Sequence, residues 1–445
     1  MKALSDFILI IFLLSILTAG CRETTYSYSD IVQQKINNFD SGYYDYCNLD
    51  LTTNFELNAV RGSFYGDYRT ALDQAAKDVP VTSQEFLIEG IDKSNQQQEI
   101  AMLEKALENP AIDAQQQAII QQMLRILTEA PTEVFAEAKP VPAVQFITEQ
   151  AKNYHFTLIN EAHYNSQNRT FTQSLLKPLW GIGYRYLALE ALGYEDDRLH
   201  ERGYPISSTG FYIKDSNFGN LVREALALGY TLVTYEDQNG YEGTLRDRDQ
   251  ARNIYEQTWQ KDTIGKVLVH AGYGHIFERG DIEYEPMGYQ LKNLASQDVL
   301  TIDQKNMVGL PDSTKQHSYY QEALKKFDLA NPTVFLDEKG EVIVDPIQSL
   351  GMDIQVYHPK TRYVRGRPDW MQRNNTRQVS LTAEFLQYEG SLIQAVPQGE
   401  TKDAVPIDQF TISEEKIFLL EPGSYNIRII DCEGDFVATS ELNVY

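Results

Sequence analysis

Four short apolar runs between residues 143 and 305 constrain the fold most strongly. They cover residues 156–159, 186–189, 231–234 and 267–269. Candidate helices lie between them, near residues 168–179, 218–228 and 246–260. Continuous apolar strands separated by helices are typical of a parallel sheet that is covered on both faces. The sequence therefore predicts an α/β fold with a mostly parallel sheet flanked by helices.

The length of the chain, 445 residues, exceeds what one ordinary core accommodates. Helix-forming residues with apolar positions at helical spacing predict a mostly helical N-terminal region over residues 21–140. The α/β domain is expected over residues 141–375. Short alternating strands with turn signals predict a small β-sandwich over residues 379–445.

The N-terminus has the pattern of an export signal. Lys2 precedes an apolar run over residues 7–17, which is too short to span a hydrocarbon core of about 30 Å. We expect a signal peptide over residues 1–20. The stretch Leu17-Thr18-Ala19-Gly20-Cys21 resembles a bacterial lipobox. This resemblance implies that Cys21 is lipidated and anchors the protein in the cell envelope, at the outer membrane or the periplasmic face, whereas plain secretion is the alternative.

The charge of the chain argues against nucleic acid as a partner. The 63 acidic and 39 basic side chains give a formal net charge of −24, which repels phosphate backbones. Two further cysteines, Cys47 and Cys432, would meet an oxidising compartment after export. Whether they form a disulfide stays open, because the sequence does not give the distance between them.

Polar side chains follow each of the four apolar runs. They are Asn160, Glu161 and His163 after the first, Glu190 after the second, Glu236 after the third, and His270 and His275 in and after the fourth. Ligands bind outside the carboxyl ends of strands in open parallel sheets, so we expect these groups to form one functional site. Taken singly, each glutamate also suits a helix N-terminus, and His270 also suits a core position.

The residue types suggest acid–base chemistry. His163 would be the general base that activates water, oriented by Glu161. His275 would stabilise a developing oxyanion or act as the acid. Arg246, at the start of a candidate helix, would bind an anionic substrate group or keep a glutamate ionised.

A divalent metal or haem is an open alternative. Glu190 and Glu236 would hold either the water or a metal, and the candidate metal ligands are Glu161, His163, Glu190, Glu236 and His275. Asn160 and His270 are further candidates for binding substrate or metal. Haem iron would be ligated by a histidine or by one of the 28 tyrosines. The sequence contains no nucleophile elbow, no His-Glu-x-x-His zinc motif and no P-loop.

Four elements in order resemble the erythromycin esterase and ChaN-like superfamily, with Tiki/TraB proteins as more distant relatives. They are Asn160-Glu161-Ala162-His163, Glu190, the Arg246-Asp247 helix start with Asn253, and the stretch from His270 to His275. The resemblance implies an exported hydrolase of ester or peptide bonds, acting on a small molecule or a peptide. The alternative that it implies is a haem- or metal-binding lipoprotein without turnover. A third possibility is a family member that binds glycan or peptide through the C-terminal sandwich.

Overall fold

The structure, a computed structural model, describes residues 133–445 except for short gaps, together with isolated residues between 64 and 128. The gaps are residues 281–283, 311–312, 314–315, 347, 374, 414 and 432–433. The predicted signal peptide over residues 1–20, the predicted lipidation site Cys21 and the open Cys47–Cys432 pairing lie outside the described residues, as does most of the predicted helical region over 21–140. No helix in the described part of the chain is long and apolar enough to cross a membrane.

Helices and strands alternate through the first half of the described chain, and strands predominate after it. The helices are α1 (Ala143–Ala151), α2 (Ser166–Gly181), α3 (Leu199–Arg202), α4 (Ser216–Leu228), α5 (Gly243–Gln257), α6 (Met287–Ala295), α7 (Ser318–Lys326) and α8 (Ala383–Leu386). The strands are β1 (Lys139–Pro142), β2 (Phe156–Glu161), β3 (Tyr184–Leu189), β4 (Thr231–Thr234), β5 (Lys266–Gly272), β6 (Val299–Asp303), β7 (Thr333–Leu336), β8 (Ile354–Gln355), β9 (Tyr363–Val364), β10 (Arg367–Pro368), β11 (Arg377–Ser380), β12 (Leu392–Pro397), β13 (Asp408–Thr411), β14 (Ile417–Leu420), β15 (Gly423–Ile430) and β16 (Phe436–Val444).

A six-stranded parallel sheet confirms the predicted α/β fold. Its strand order is β4-β3-β5-β2-β6-β8. All six residues of β2 are buried, as expected for a strand covered on both faces. This strand pairs with β5 on one side and with β6 on the other. The four predicted apolar runs correspond to β2, β3, β4 and β5, whereas β6 was not predicted as a strand.

The described chain divides into two compact units. The first contains residues 133–162 and 235–360, and the second contains residues 163–234 and 361–445. An aromatic cluster forms part of the core of the first unit. Phe135 contacts Tyr319, Phe335 and Tyr357 edge to face, with ring centroids 5.9, 5.3 and 6.0 Å away. Each such pair contributes about 0.5–1.5 kcal/mol beyond the burial of its area.

A buried polar network joins the ends of β2, β6 and β8 in the first unit. The side-chain amide of Asn160 donates to Asp303 over 2.9 Å, and its oxygen accepts the backbone N–H of Gln304 over 2.8 Å. The Gln355 amide donates to Asp303 over 2.9 Å and to Asp345 over 2.7 Å. Burial raises the pKa of the Asp303 carboxyl. Asn160 is fully buried, and both the nitrogen and the oxygen of its side-chain amide form hydrogen bonds in this network.

The C-terminal strands of the second unit are antiparallel, as predicted for residues 379–445. One sheet has the order β13-β12-β15-β16, and β11 pairs with β14. Both contribute to one apolar core, which includes Ile393, Phe410, Phe418 and Ile427. In the same unit Gly229 caps the C-terminal end of α4, and its φ of 95° lies in the left-handed region that glycine adopts without strain.

His358 makes the stability of the first unit sensitive to acid. Burial lowers the pKa of its imidazole from 6.5 to about 3. Between these pH values the unfolded chain binds a proton that the folded chain does not, so stability falls as the pH drops below 6.5. We expect His358→Gln to reduce the loss of unfolding free energy between pH 8 and pH 5.5 by about 1.4 kcal/mol.

Urea unfolding of both proteins at the two pH values measures this difference. The comparison at pH 8 isolates the packing change caused by the substitution, because the histidine is neutral there in both states. An identical pH dependence in wild type and variant would contradict the assignment.

Candidate functional site

Glu161 and His270 form a buried pair in the first unit. In the register of β2 and β5, His270 lies opposite Ile159. Side chains alternate along a strand, so Ile159 and Glu161 point to the same face, and the imidazole can reach the carboxylate. Nε2 of His270 lies 2.9 Å from Oε2 of Glu161, with both side chains 2% exposed. The hydroxyl of Tyr235 donates to the backbone oxygen of His270 over 3.0 Å.

Side chains on one face of α5 donate hydrogen bonds to the segment that contains Glu236. Arg246, Gln250 and Asn253 recur at helical spacing and therefore point in the same direction. Arg246 donates from Nε to Oε1 of Glu236 over 2.9 Å and from Nη2 to Oε2 over 2.6 Å. Gln250 donates to the same carboxylate, and Asn253 donates to the backbone oxygen of Tyr235. This forked arrangement is the strong geometry of an arginine–carboxylate pair.

The imidazole of His275 contacts the side chains of Arg246 and Asp247, one at each ring nitrogen. His275 follows β5 on a short turn in which Tyr273 has a φ of 45°. Nε2 of His275 lies 3.0 Å from Nη1 of Arg246, and Nδ1 lies 3.0 Å from Oδ2 of Asp247. The consecutive residues of α5 thus contact the two nitrogens of one imidazole.

These contacts define the tautomer of His275. A guanidinium can only donate hydrogen bonds, so Nε2 accepts a hydrogen bond from Arg246. The ring hydrogen is therefore on Nδ1, from which it is donated to Asp247. A buried carboxylate on Nδ1 orients an imidazole and stabilises its protonated form, while Nε2 is left as the basic atom.

Asp247 gathers three donors on one oxygen. Besides His275, the Tyr284 hydroxyl and the backbone N–H of Met287 each donate to Oδ2 over 2.8 Å. The side chain of Asp247 is 1% exposed. Its other oxygen has no hydrogen-bond partner among the described residues. The carboxylate therefore fixes α5, the turn after β5 and the start of α6 relative to one another.

The start of α6 packs directly against the backbone that carries His275. The N–H of Gly288 donates to the backbone oxygen of His275 over 2.8 Å. A Cβ atom at position 288 would lie 2.3 Å from the backbone oxygen of Ile276, which is closer than real contacts allow. Glycine is therefore required at this position by close approach, and not by its backbone angles.

His163 belongs to the second unit. Strand β2 ends at Glu161, so the alternation that would place Glu161 and His163 on one face does not extend to His163. The imidazole stacks on the Tyr212 ring, with centroids 4.1 Å apart and planes inclined by 13°. Arg169 donates to the backbone oxygen of His163 over 2.5 Å. The role of His163 as general base stays a prediction.

A fully buried ion pair supports this part of the second unit. Nη1 of Arg169 lies 2.9 Å from Oδ2 of Asp215, and neither side chain is exposed to solvent. Oδ1 of Asp215 accepts the N–H of Asn217 over 2.6 Å and so caps the start of α4. Glu190, directly after β3, is half-buried in the same unit. Its predicted role in holding water or metal also stays a prediction.

The predicted residues of the first unit thus form two groups. Glu161 pairs with His270, and Glu236 pairs with Arg246, which contacts His275. Among the described residues, no group of three or more histidine, cysteine, aspartate or glutamate side chains is arranged to hold a metal ion. The oxygens of Glu236 face Arg246 and Gln250. The metal-binding role of Glu236 and of the other candidate ligands stays a prediction.

The sequence did not assign a role to Asp247 or to Tyr284. Asp247 lies in the run Arg246-Asp247-Arg248-Asp249, where alternating charges suggest an exposed helix. Its position beside Arg246 at a helix start was the available signal. No pattern in the sequence marks Tyr284, because its contact with Asp247 depends on the path of the chain between β5 and α6.

Comparisons with known proteins give no family. No family model matches the sequence, and no curated protein matches it significantly. Three solved structures are similar over part of the chain: the type III effector HopBA1 (12% identity, 42% of this chain and 96% of that chain, TM-score 0.28), a structure of bacterial protein toxins (12%, 64% and 69%, 0.30), and RRSP, a MARTX toxin effector domain from Vibrio vulnificus CMCP6 (15%, 64% and 66%, 0.30). At these TM-scores the likenesses establish neither a shared fold nor a shared activity.

Removing one partner of the buried ion pair should strongly destabilise the second unit. Arg169→Met leaves the Asp215 carboxylate buried without its cation, and we expect a loss of about 3–5 kcal/mol in unfolding free energy. Arg198→Met is the matched control, because its pair with Glu201 is exposed, with side chains 70% and 72% accessible. The control should change stability by about 0–1 kcal/mol. Equal losses in the two variants, measured by urea unfolding, would contradict the role given to burial.

Proposed function

We propose that the protein is a hydrolase of ester or peptide bonds in which His275 is the acid–base group. The observation that carries this proposal is the position of the imidazole between a buried carboxylate on Nδ1 and a partly exposed guanidinium on Nε2. The first contact orients the ring and stabilises its protonated form. The second places the basic nitrogen on the more exposed side, since the side chain of Arg246 is 28% exposed and that of Asp247 is 1% exposed.

In the proposed reaction, Nε2 of His275 takes a proton from a water molecule whose oxygen attacks the carbonyl carbon. Asp247 stabilises the imidazolium that forms. The C–O or C–N bond then breaks, and the leaving group takes the proton from Nε2. Glu236 holds Arg246 beside the site through two hydrogen bonds. Tyr284 helps to fix the Asp247 carboxylate.

The proposed setting is the cell envelope. Lys2, the apolar run over residues 7–17 and the lipobox-like sequence ending at Cys21 support export and a lipid anchor. The resemblance of the ordered motifs to the erythromycin esterase and ChaN-like superfamily supports a small-molecule or peptide substrate. A haem- or metal-binding lipoprotein without turnover is the alternative that the same resemblance raises.

Substitutions of His275 and of residues on α5 test the acid–base assignment. His275→Gln and Asp247→Asn should each lower kcat roughly 10²–10⁴-fold on whichever ester or peptide the wild type hydrolyses. The Asn amide keeps an oxygen for the N–H of Met287 and the ring hydrogen of His275, but it is neutral and does not stabilise the imidazolium that forms. Asp249→Asn is the matched control, because it removes another buried carboxylate from the same helix. Its kcat should equal that of the wild type.

The measurement is hydrolysis of a panel of nitrophenyl esters and fluorogenic peptides by the purified protein, with thermal melts to confirm folding. Metal content by mass spectrometry and the absorbance of added haemin are recorded on the same preparations. Retained activity in His275→Gln would contradict the assignment. No hydrolysis by the wild type, together with a haem spectrum or bound metal that His275→Gln loses, would replace the hydrolase with the binding alternative.

A further inference from the structure

The contact between Arg246 and His275 has a consequence for the substrate. Nε2 is the atom that must accept a proton from water, yet in the structure it accepts a hydrogen bond from Nη1 of Arg246 over 3.0 Å. A lone pair that is already engaged by a cation is a weak base. The substrate-free site therefore holds its own base in an inactive form.

The arrangement around Arg246 determines what can change this. Nε and Nη2 are engaged by the two oxygens of Glu236, at 2.9 and 2.6 Å. The contact with His275 comes from the third nitrogen, Nη1. Guanidinium nitrogens bind oxyanions more strongly than they bind a neutral imidazole, because a charged acceptor roughly doubles the strength of the hydrogen bond. An oxyanion that reached Nη1 would thus displace Nε2.

The accessible part of the network is the arginine. Exposure rises along it, from 1% for the Asp247 side chain to 16% for His275 and 28% for Arg246. A ligand that approaches from solvent reaches the guanidinium without disturbing the Asp247 carboxylate. The remaining donors of the network, Tyr284 and Met287, already face Asp247.

We propose that the substrate carries an oxyanion, a carboxylate or a phosphate group, whose binding to Arg246 releases Nε2 of His275 as the general base. This inference rests on the proposed function and names its substrate class. The site would then hydrolyse a bond near an anionic group and leave neutral esters largely intact. The net charge of −24 would disfavour anions at a distance, so this selectivity depends on the local guanidinium.

The first test observes the imidazole directly. The protein with ¹⁵N-labelled histidine is titrated with sodium phosphate and, separately, with sodium acetate, against sodium chloride at equal ionic strength. We expect the free protein to show the pattern of a hydrogen on Nδ1 of His275. Phosphate or acetate should shift the Nε2 signal saturably, and chloride should not. The anion with the lower half-saturation concentration identifies the phosphate or the carboxylate class.

Two variants of Arg246 and one control variant on the same helix make this test specific. Arg246→Gln should abolish the saturable shift, and thermal melts check that it folds; Arg246→Lys, which keeps the charge but not the fork, is the second variant and should weaken it. Arg248→Gln is the matched control, because it removes the same charge two residues further along the helix from an exposed side chain. It should leave the shift intact. The same shift in Arg246→Gln, or none in the wild type, would overturn the inference.

The second test compares two succinate esters with the same leaving group. In the first the other carboxylate is free, and in the second it is capped as a neutral methyl ester. Arg246→Gln should reduce kcat/KM for the first on the order of 10–100-fold more than for the second. An equal reduction for both would overturn the inference and leave the hydrolase in place. Anion titration that succeeds while neither ester is hydrolysed, and no other substrate is turned over, would refute the hydrolase and retain Arg246 as an anion-binding residue.

Discussion

One oxygen of Asp247 organises the candidate site. A carboxylate that is almost completely removed from water is costly unless it is well paired. Here the cost is offset by donors from three separate segments: His275 from the turn after β5, Tyr284 from the segment before α6, and the N–H of Met287 at the start of α6. The position and tautomer of the imidazole follow from this requirement. The contact of Nε2 with Arg246 follows in turn, because Arg246 directly precedes Asp247 in α5.

Much of the fold follows from local patterns in the sequence. Each of the four predicted strands is a short apolar run, and burial on both faces of a parallel sheet demands such a run. Strand β6 has the same composition, and its run, Val299–Ile302, is likewise followed by polar residues, Asp303 and Gln304, but it is not among the predicted strands. In the structure these polar residues are buried and bonded to Asn160. A local pattern does not reveal that two distant polar segments satisfy one another.

The candidate site was predictable in its residue types and less so in its pairings. The glutamates and histidines do follow the strands, but the partner of each depends on geometry that spacing does not give. Glu161 was expected to orient His163 and pairs with His270, because the register of β2 and β5 brings that ring within reach. Asp247 and Asp249 look alike in the sequence. Only the rotation of α5 determines which of them faces the turn after β5.

The glycine at position 288 shows how little side-chain chemistry some of this positioning involves. The backbone of residues 275–277 lies so close to the start of α6 that there is no room for a methyl group. The location of the imidazole is therefore encoded partly by a residue that contributes no functional group. Any redesign that keeps every polar residue of the network but enlarges this one would preserve the inventory of chemical groups and lose their alignment. In this region the path of the main chain, rather than the set of reactive side chains, limits which variants of the sequence keep the network aligned.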